Sequence, residues 1–279
     1  MLTFIPVKVE YSIVKNKHMK IPVFQVDAFT SKLFEGNPAA VCPLEEWPED
    51  NVLQQIAMEN NLSETAFFVR SLHDYELRWF TPKVEVALCG HATLATAHVL
   101  FHHMGCTKNP LVFKTRKSGE LQVKKDKGLL TLNFPADKLE PAIPPKGLIE
   151  ALGKKPEEIW KGKTDYLLYY PAQEDIEEMT PDFSRLADVE ARGVIVTAPG
   201  YNSDFVSRFF APAVGVNEDP VTGSAHTSLT PFWAHRMNQL EFEAIQLSER
   251  GGKMRCHLTG DRVLLSGQAK TFLEGTITL

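Results

Sequence analysis

The chain has 279 residues, 43% of them hydrophobic and 23% charged, with a formal net charge of −5. That length suits one large domain or two ordinary ones, and the composition is that of a soluble globular protein. A net negative charge excludes a broad basic surface for nucleic acid or acidic membranes, and no run approaches the ~20 apolar residues of a membrane-spanning helix.

The first eighteen residues form an extension in which Lys8, Glu10 and Lys15 interrupt any apolar core of a signal peptide. Residues 21–28 alternate apolar and polar at period two, a strand signal. Gly36-Asn37-Pro38 forces a turn, after which small residues return to a strand. Residues 49–60 have helical spacing, with Val52, Leu53, Ile56 and Ala57 on one face, and Asn60-Asn61 stops the helix. The corner from Leu62 leads through Ser63, Glu64 and Thr65 into a strand, which residues 75–81 pair across a turn.

A helix is predicted over 90–104, with Leu94, Ala97, His98 and Phe101 on one face and Gly105 ending it. Three short strands follow at 111–115, 120–125 and 129–134. Residues 135–145 then hold four prolines (Pro135, Pro141, Pro144 and Pro145) and read as the connection between two halves. The second half opens with helices at 147–152 and from Lys155 through Ile159, then strands at 165–170 and 193–198. The acidic run 174–179 reads as a solvated helix face. A helix over 225–237, strands at 245–249, 253–259 and 262–267, and a final strand at 271–279 complete the chain.

One stretch is written twice. In residues 77–97 and 207–226, Arg78 matches Arg208, Phe80 matches Phe210, Pro82 matches Pro212, and Val84 and Val86 match Val214 and Val216. Three extra residues then follow in the second copy, the segment holding Asp219, before Gly90-His91-Ala92 answers to Gly223-Ser224-Ala225. A helix start leaves backbone N–H groups without intrahelical partners and carries partial positive charge. Glycine there lets an anion approach closely. Two such starts would clamp a small carboxylate. His91 is a candidate acid–base group. Asp219 precedes the second helix start and Glu64 sits at a polar corner before an apolar strand, where sites form.

Cys42, Cys89, Cys106 and Cys256 are scattered, with no C-x-x-C pair. That spacing gives no disulfide framework and no zinc site, and it fits a reducing cytosol. His102 and His103 are adjacent and face different directions, unlike an H-x-x-x-H pair, so no metal is expected. There is no G-x-G-x-x-G after a strand and no G-x-x-x-x-G-K-[ST], so no nucleotide cofactor is expected either.

Five motifs together resemble the phenazine-biosynthesis-like (PhzF) isomerase family, relatives of diaminopimelate epimerase. They are FQVDAF from Phe24, GNPAAV from Gly36, NLSETAFF from Asn61, CGHATLA from Cys89 and EDPVTGSAH from Glu218. The match runs from Met19 to the C-terminus. The resemblance implies an α+β fold of two similar domains, each a curled mixed or antiparallel sheet around a central helix, with the active site in the cleft between them. The halves fall at 19–134 and 135–270, with the final strand 271–279 free to pack on the first. It also implies a cytoplasmic homodimer and an isomerase that needs no cofactor. Carried over by motif, Glu64 takes the acid–base role, and His91, Asp219, Gly223 and Ser224 shape the site and hold the small substrate, whose carboxylate the helix starts at Gly90 and Gly223 would clamp.

The epimerase relatives place a cysteine before the glycine at both helix starts. Here Cys89 precedes Gly90 but Thr222 precedes Gly223. A threonine hydroxyl without an activating partner is a poor substitute for a thiolate. One-base proton transfer by Glu64 is therefore expected. The alternatives are a racemase or epimerase working through Cys89, and a non-catalytic metabolite-binding protein on the same scaffold.

Overall fold

The computed structural model describes residues 19–279, so the 1–18 extension lies outside the described residues. Among these residues, hydrogen bonding links eighteen strands into one sheet, and the path through it follows the same plan twice. Strands Leu129–Pro135 and Arg262–Gly267 pair antiparallel at its middle, with Leu132 opposite Leu265. Outward from the first run Glu120–Asp126, Leu111–Thr115, Tyr75–Phe80, Glu64–Arg70, Asn37–Leu44, Lys20–Ala28 and Ala269–Thr278. Outward from the second run Gly252–Thr259, Glu241–Gln246, Phe205–Ala211, Gly193–Pro199, Asp165–Tyr169, Glu158–Lys161 and Glu140–Pro141.

Parallel pairings fall at the same two places in each path, and parallel neighbours need a crossover, usually helical. In the first half the crossovers carry helices Asp50–Asn60 and Gly90–His102. In the second they carry the short helices Gln173–Glu177 and Phe183–Ala187, and then the long helix Gly223–Met237. The fold is α+β. No described helix is long and apolar enough to cross a membrane.

The helix Gly90–His102 is buried on all sides, not only on the face that its spacing marks. Every residue from His91 to Leu100 is buried, because the curled sheet packs around it. A helix apolar on all sides is a core element, and its repeated alanines and threonines let strands approach closely. The strand Glu64–Arg70 is also covered on both faces. Ala66 and Phe68 join the core around this helix, while Phe67 joins Leu53, Ile56 and Ala57 beneath the helix Asp50–Asn60. Glu64 shares the face of Ala66 and Phe68.

Three expectations are corrected. The helix predicted from Lys155 is a strand, Glu158–Lys161, antiparallel to Asp165–Tyr169 with Trp160 opposite Leu167. Ile159 and Trp160 favour strand, and Pro156 holds the residue before it extended. The strand predicted at 245–249 runs earlier, as Glu241–Gln246, because Asn238 ends the preceding helix in a left-handed turn (φ 52°).

The third concerns the repeat. Phe80 pairs with Glu85 and Phe210 pairs with Glu218, and the matched arginines grip those same glutamates, Arg78 to Glu85 at 2.8 Å and Arg208 to Glu218 at 2.7 Å. The three extra residues therefore lie before Glu218, in a turn containing the 3-10 helix Pro212–Val214 and Gly215 at φ +91°. From Glu85 to Gly90 and from Glu218 to Gly223 the spacing is identical. Asp219 is thus not an insertion; its counterpart is Val86.

Candidate active site

The corner before Glu64 is built by local sequence. Asn61 closes the helix Asp50–Asn60 in a left-handed conformation (φ 48°), which asparagine tolerates. The Asn60 amide donates to Thr65 Oγ1 at 3.1 Å, fastening the turn into the strand. Glu64 then begins that strand, facing the start of the central helix.

At that start Cys89 is the extended N-cap residue (φ −143°), so its side chain and that of His91 converge across the first turn, with Sγ 3.6 Å from His91 Nδ1. His91 Nε2 lies 3.1 Å from Glu64 Oε2, a charge contact without hydrogen-bond alignment. Glu64 Oε2 is buried and has no aligned donor among the described residues. Burial opposes charge on the imidazole, but Cys89 and the Glu64 carboxylate outweigh it and hold His91 well above its ordinary value. Burial, reinforced by the Glu64 charge, pushes the Cys89 thiol up to about 11.

The second helix start faces the first. A Cβ added at Gly90 would lie 3.8 Å from Gly223 Cα, and one added at Gly223 would lie 3.8 Å from Gly90 Cα. Neither N-cap side chain, Cys89 or Thr222, caps its own helix, so both starts present first-turn amides rather than sealing them. Ser224 is exposed beside them.

Asp219 is half-buried with its carboxyl group turned inward. Oδ1 accepts from the Asn37 amide at 2.8 Å and Oδ2 from the Thr222 hydroxyl at 2.6 Å. Burial is the largest influence and raises its carboxyl above the usual range, with the Glu64 charge adding to it, while His91, Thr222 and Asn37 pull it back. The six residues singled out from sequence therefore gather around the paired helix starts.

Two others had been passed over. Asn37 was read only as part of a Gly-Asn-Pro turn, yet it is fully buried, binds Asp219 across 182 positions of sequence and donates to the Val221 carbonyl at 2.9 Å. Gln246 is buried and holds the second start from behind. Its Oε1 accepts from Thr222 N at 2.8 Å and its Nε2 donates to the Asp219 carbonyl at 2.6 Å. A signal for it existed: Phe242, Ala244 and Gln246 alternate inward on one strand, and an inward glutamine needs polar partners.

The expectation drawn from His102-His103 also passed over His98, which stands four residues before His102. That pair has H-x-x-x-H spacing and its rings lie 4.3 Å apart. His102 Nδ1 is 3.1 Å from the His98 carbonyl, its Nε2 is 3.3 Å from Lys125 Nζ, and His98 Nε2 is 2.9 Å from Thr271 Oγ1. The two outer ring nitrogens therefore face different partners, Lys125 for His102 and Thr271 for His98.

Comparison with known proteins places these features in context. Residues 26–275 match the profile of the phenazine biosynthesis-like proteins (PhzC-PhzF). An uncharacterized isomerase of Pseudomonas aeruginosa is 52% identical over 261 residues, covering 94% of this chain and 100% of the relative. The crystal structure of a PhzF family protein of Enterococcus faecalis superposes with a TM-score of 0.90 at 46% identity, covering 94% of this chain and all of the other. A predicted epimerase of Pseudomonas aeruginosa, 18% identical over 92% of this chain and 99% of its own, shares the fold with a TM-score of 0.71.

Proposed function

The chain belongs to the phenazine biosynthesis-like (PhzC-PhzF) family and is an isomerase, and from that premise we propose that Glu64 is the single base that moves a proton, and with it a double bond, on a small carboxylate-bearing metabolite. The observation that carries this reading is an asymmetry between two equivalent positions. Glu64 precedes Thr65, which pairs with Phe80; Gly193 precedes Val194, which pairs with Phe210. Gly193 is therefore the counterpart of Glu64. A Cβ there would stand 2.3 Å from the Phe209 ring and 2.9 Å from Asp165 Oδ1, so this half has no room for a second base.

The substrate carboxylate would sit against the first-turn amides at Gly90, Gly223 and Ser224, where helix-end charge favours it. Glu64 Oε2 would take a proton from a neighbouring carbon and return it nearby on the same face. His91, 3.1 Å away, orients that carboxylate, and Asp219 supports the other wall through Thr222. Such a reaction needs no cofactor. Two-base chemistry through Cys89 is disfavoured because burial holds the thiol protonated and the matching position carries threonine rather than a second thiol.

The test is a screen of small carboxylates in D₂O, read by mass spectrometry for deuterium uptake. The expected result is uptake into one compound class that falls ~10²–10⁴-fold in Glu64→Gln. Unchanged uptake in that variant would overturn the assignment.

A further inference from the structure

Glu64, Cys89 and His91 bring three different kinds of metal ligand to one point. Their carboxylate oxygen, sulfur and nitrogen atoms all lie within 4.8 Å of one another, and no other such trio was found among the described residues. His91 Nε2 is 3.1 Å from Glu64 Oε2 and 3.9 Å from Cys89 Sγ. Around a tetrahedral zinc ion with ordinary bond lengths, ligand atoms stand roughly 3.3–3.6 Å apart. The two separations from nitrogen fall either side of that range, and sulfur must draw in toward both of its partners.

We propose that these three side chains form a site for a thiophilic divalent cation, Zn²⁺ or Co²⁺, with a fourth position left to solvent or ligand. The arrangement is set by the fold rather than by a sequence motif. Residues two apart on a helix point in different directions, but Cys89 is extended and sits just before the helix, so its sulfur turns back toward His91. Glu64 arrives from a separate strand and brings a buried oxygen that lacks an aligned donor. Binding breaks the Cys89 S–H bond and the His91 Nε2–H bond, releases both protons to solvent, and forms sulfur–metal and nitrogen–metal bonds beside the carboxylate–metal contact. Thiolate and carboxylate together then balance the charge of the ion, against the weak opposition of the positive helix end. The equivalent positions at the other helix start are Gly193, Thr222 and Ser224, which offer no comparable set. One ion per chain follows.

An ion held there covers Glu64 Oε2. It would act as an inhibitor, a consequence that rests on the proton-transfer reading, whereas the binding itself does not. The full-length chain, freed of metal with a chelator, is titrated with Co²⁺ and followed by absorbance. The expected result is a thiolate-to-cobalt charge-transfer band saturating at one equivalent, abolished in Cys89→Ser, retained in Cys106→Ser and displaced by Zn²⁺. Glu64→Gln and His91→Gln should each weaken binding by more than the roughly 10–100-fold that follows loss of a merely supporting residue. No band at saturating Co²⁺, or an undiminished band in Cys89→Ser, overturns the proposal. If Cys89→Ser fails to fold by circular dichroism, unweakened binding in both Glu64→Gln and His91→Gln overturns it instead. A missing band alongside lost deuterium exchange in Glu64→Gln sinks the metal site alone. A cobalt band with normal exchange in Glu64→Gln sinks the base assignment alone.

Discussion

The two halves of the sheet follow one plan, and the differences that bear on chemistry lie around the paired helix starts. Matched by strand register, Glu64 stands opposite Gly193, Val86 opposite Asp219, Cys89 opposite Thr222 and His91 opposite Ser224. Buried scaffold contacts are kept on both sides. Arg78 and Arg208 grip Glu85 and Glu218, and Thr93 and His226 each bond the carbonyl four residues back, Cys89 at 2.6 Å and Thr222 at 2.8 Å. The scaffold is symmetric and the reactive groups are not. One wall carries a carboxylate, a thiol and an imidazole; the other carries hydroxyls and an aspartate locked by Asn37 and Thr222.

The sharpest way to break this comparison is to remove the asymmetric base. Glu64→Gln keeps size and shape while deleting the proton acceptor, so exchange should drop by ~10²–10⁴-fold with folding intact. Retention of melting temperature by calorimetry, alongside the loss, separates chemistry from stability.

The shared scaffold should respond differently. Arg78 is buried and binds Glu85 through two nitrogens and Asp50 through a third. Arg78→Met removes the two-nitrogen grip on Glu85 and leaves Arg116, 3.6 Å away, as its remaining counter-ion, so the loss should exceed ~1 kcal/mol but fall short of the ~3–5 kcal/mol of a partner left wholly unpaired. Urea unfolding should show a lower midpoint at unchanged slope. A loss below ~1 kcal/mol would place this pair with ordinary surface ion pairs.

His226 gives the scaffold a pH limit. It is fully buried, and burial pushes its imidazole down to about 4, opposed only partly by the Thr222 carbonyl. The folded value lies below the unfolded one near 6.5, so the fold prefers the neutral ring. Its contribution is therefore complete above about pH 6.5 and is lost as pH falls toward about 4. The difference amounts to about 3 kcal/mol. Melting temperature should fall across that window, and His226→Gln should flatten the fall. An identical acid limb in the variant would remove His226 as its source.

Much of this was legible in the sequence, for identifiable reasons. The strands 21–28 and 262–267, the corner at Asn61 and the two glycine helix starts are written in period-two alternation, turn chemistry and a repeated segment, all local signals. Illegible were features fixed by pairing with other segments, near or far in the chain. Residues 158–161 form a strand because Asp165–Tyr169 pairs with them. Asn37 reads as a turn residue until Asp219 arrives from 182 positions away. The repeat was visible but its gap was misplaced, because Val84 and Val86 align with Val214 and Val216 by letter, whereas the Arg–Glu pairs align Glu85 with Glu218. That shift conceals the pairing of Val86 with Asp219. The equivalence of Glu64 and Gly193 has no sequence similarity to reveal it, and only strand register does.

Gly193 offers the finest test of that equivalence. If the position is closed to any side chain, Gly193→Ala should destabilise through overpacking, because its methyl meets the Phe209 ring at 2.3 Å and that ring is itself buried against the core. Overpacking of this kind costs ~1–3 kcal/mol. Phe209→Leu in the same chain should recover part of the loss by opening the space the ring fills, and the coupling between the two changes is measurable by a double-mutant cycle. A neutral Gly193→Ala would mean the second half has room for a side chain where the first half carries its base. The absence of a second carboxylate would then reflect the residue present there, not the space around it.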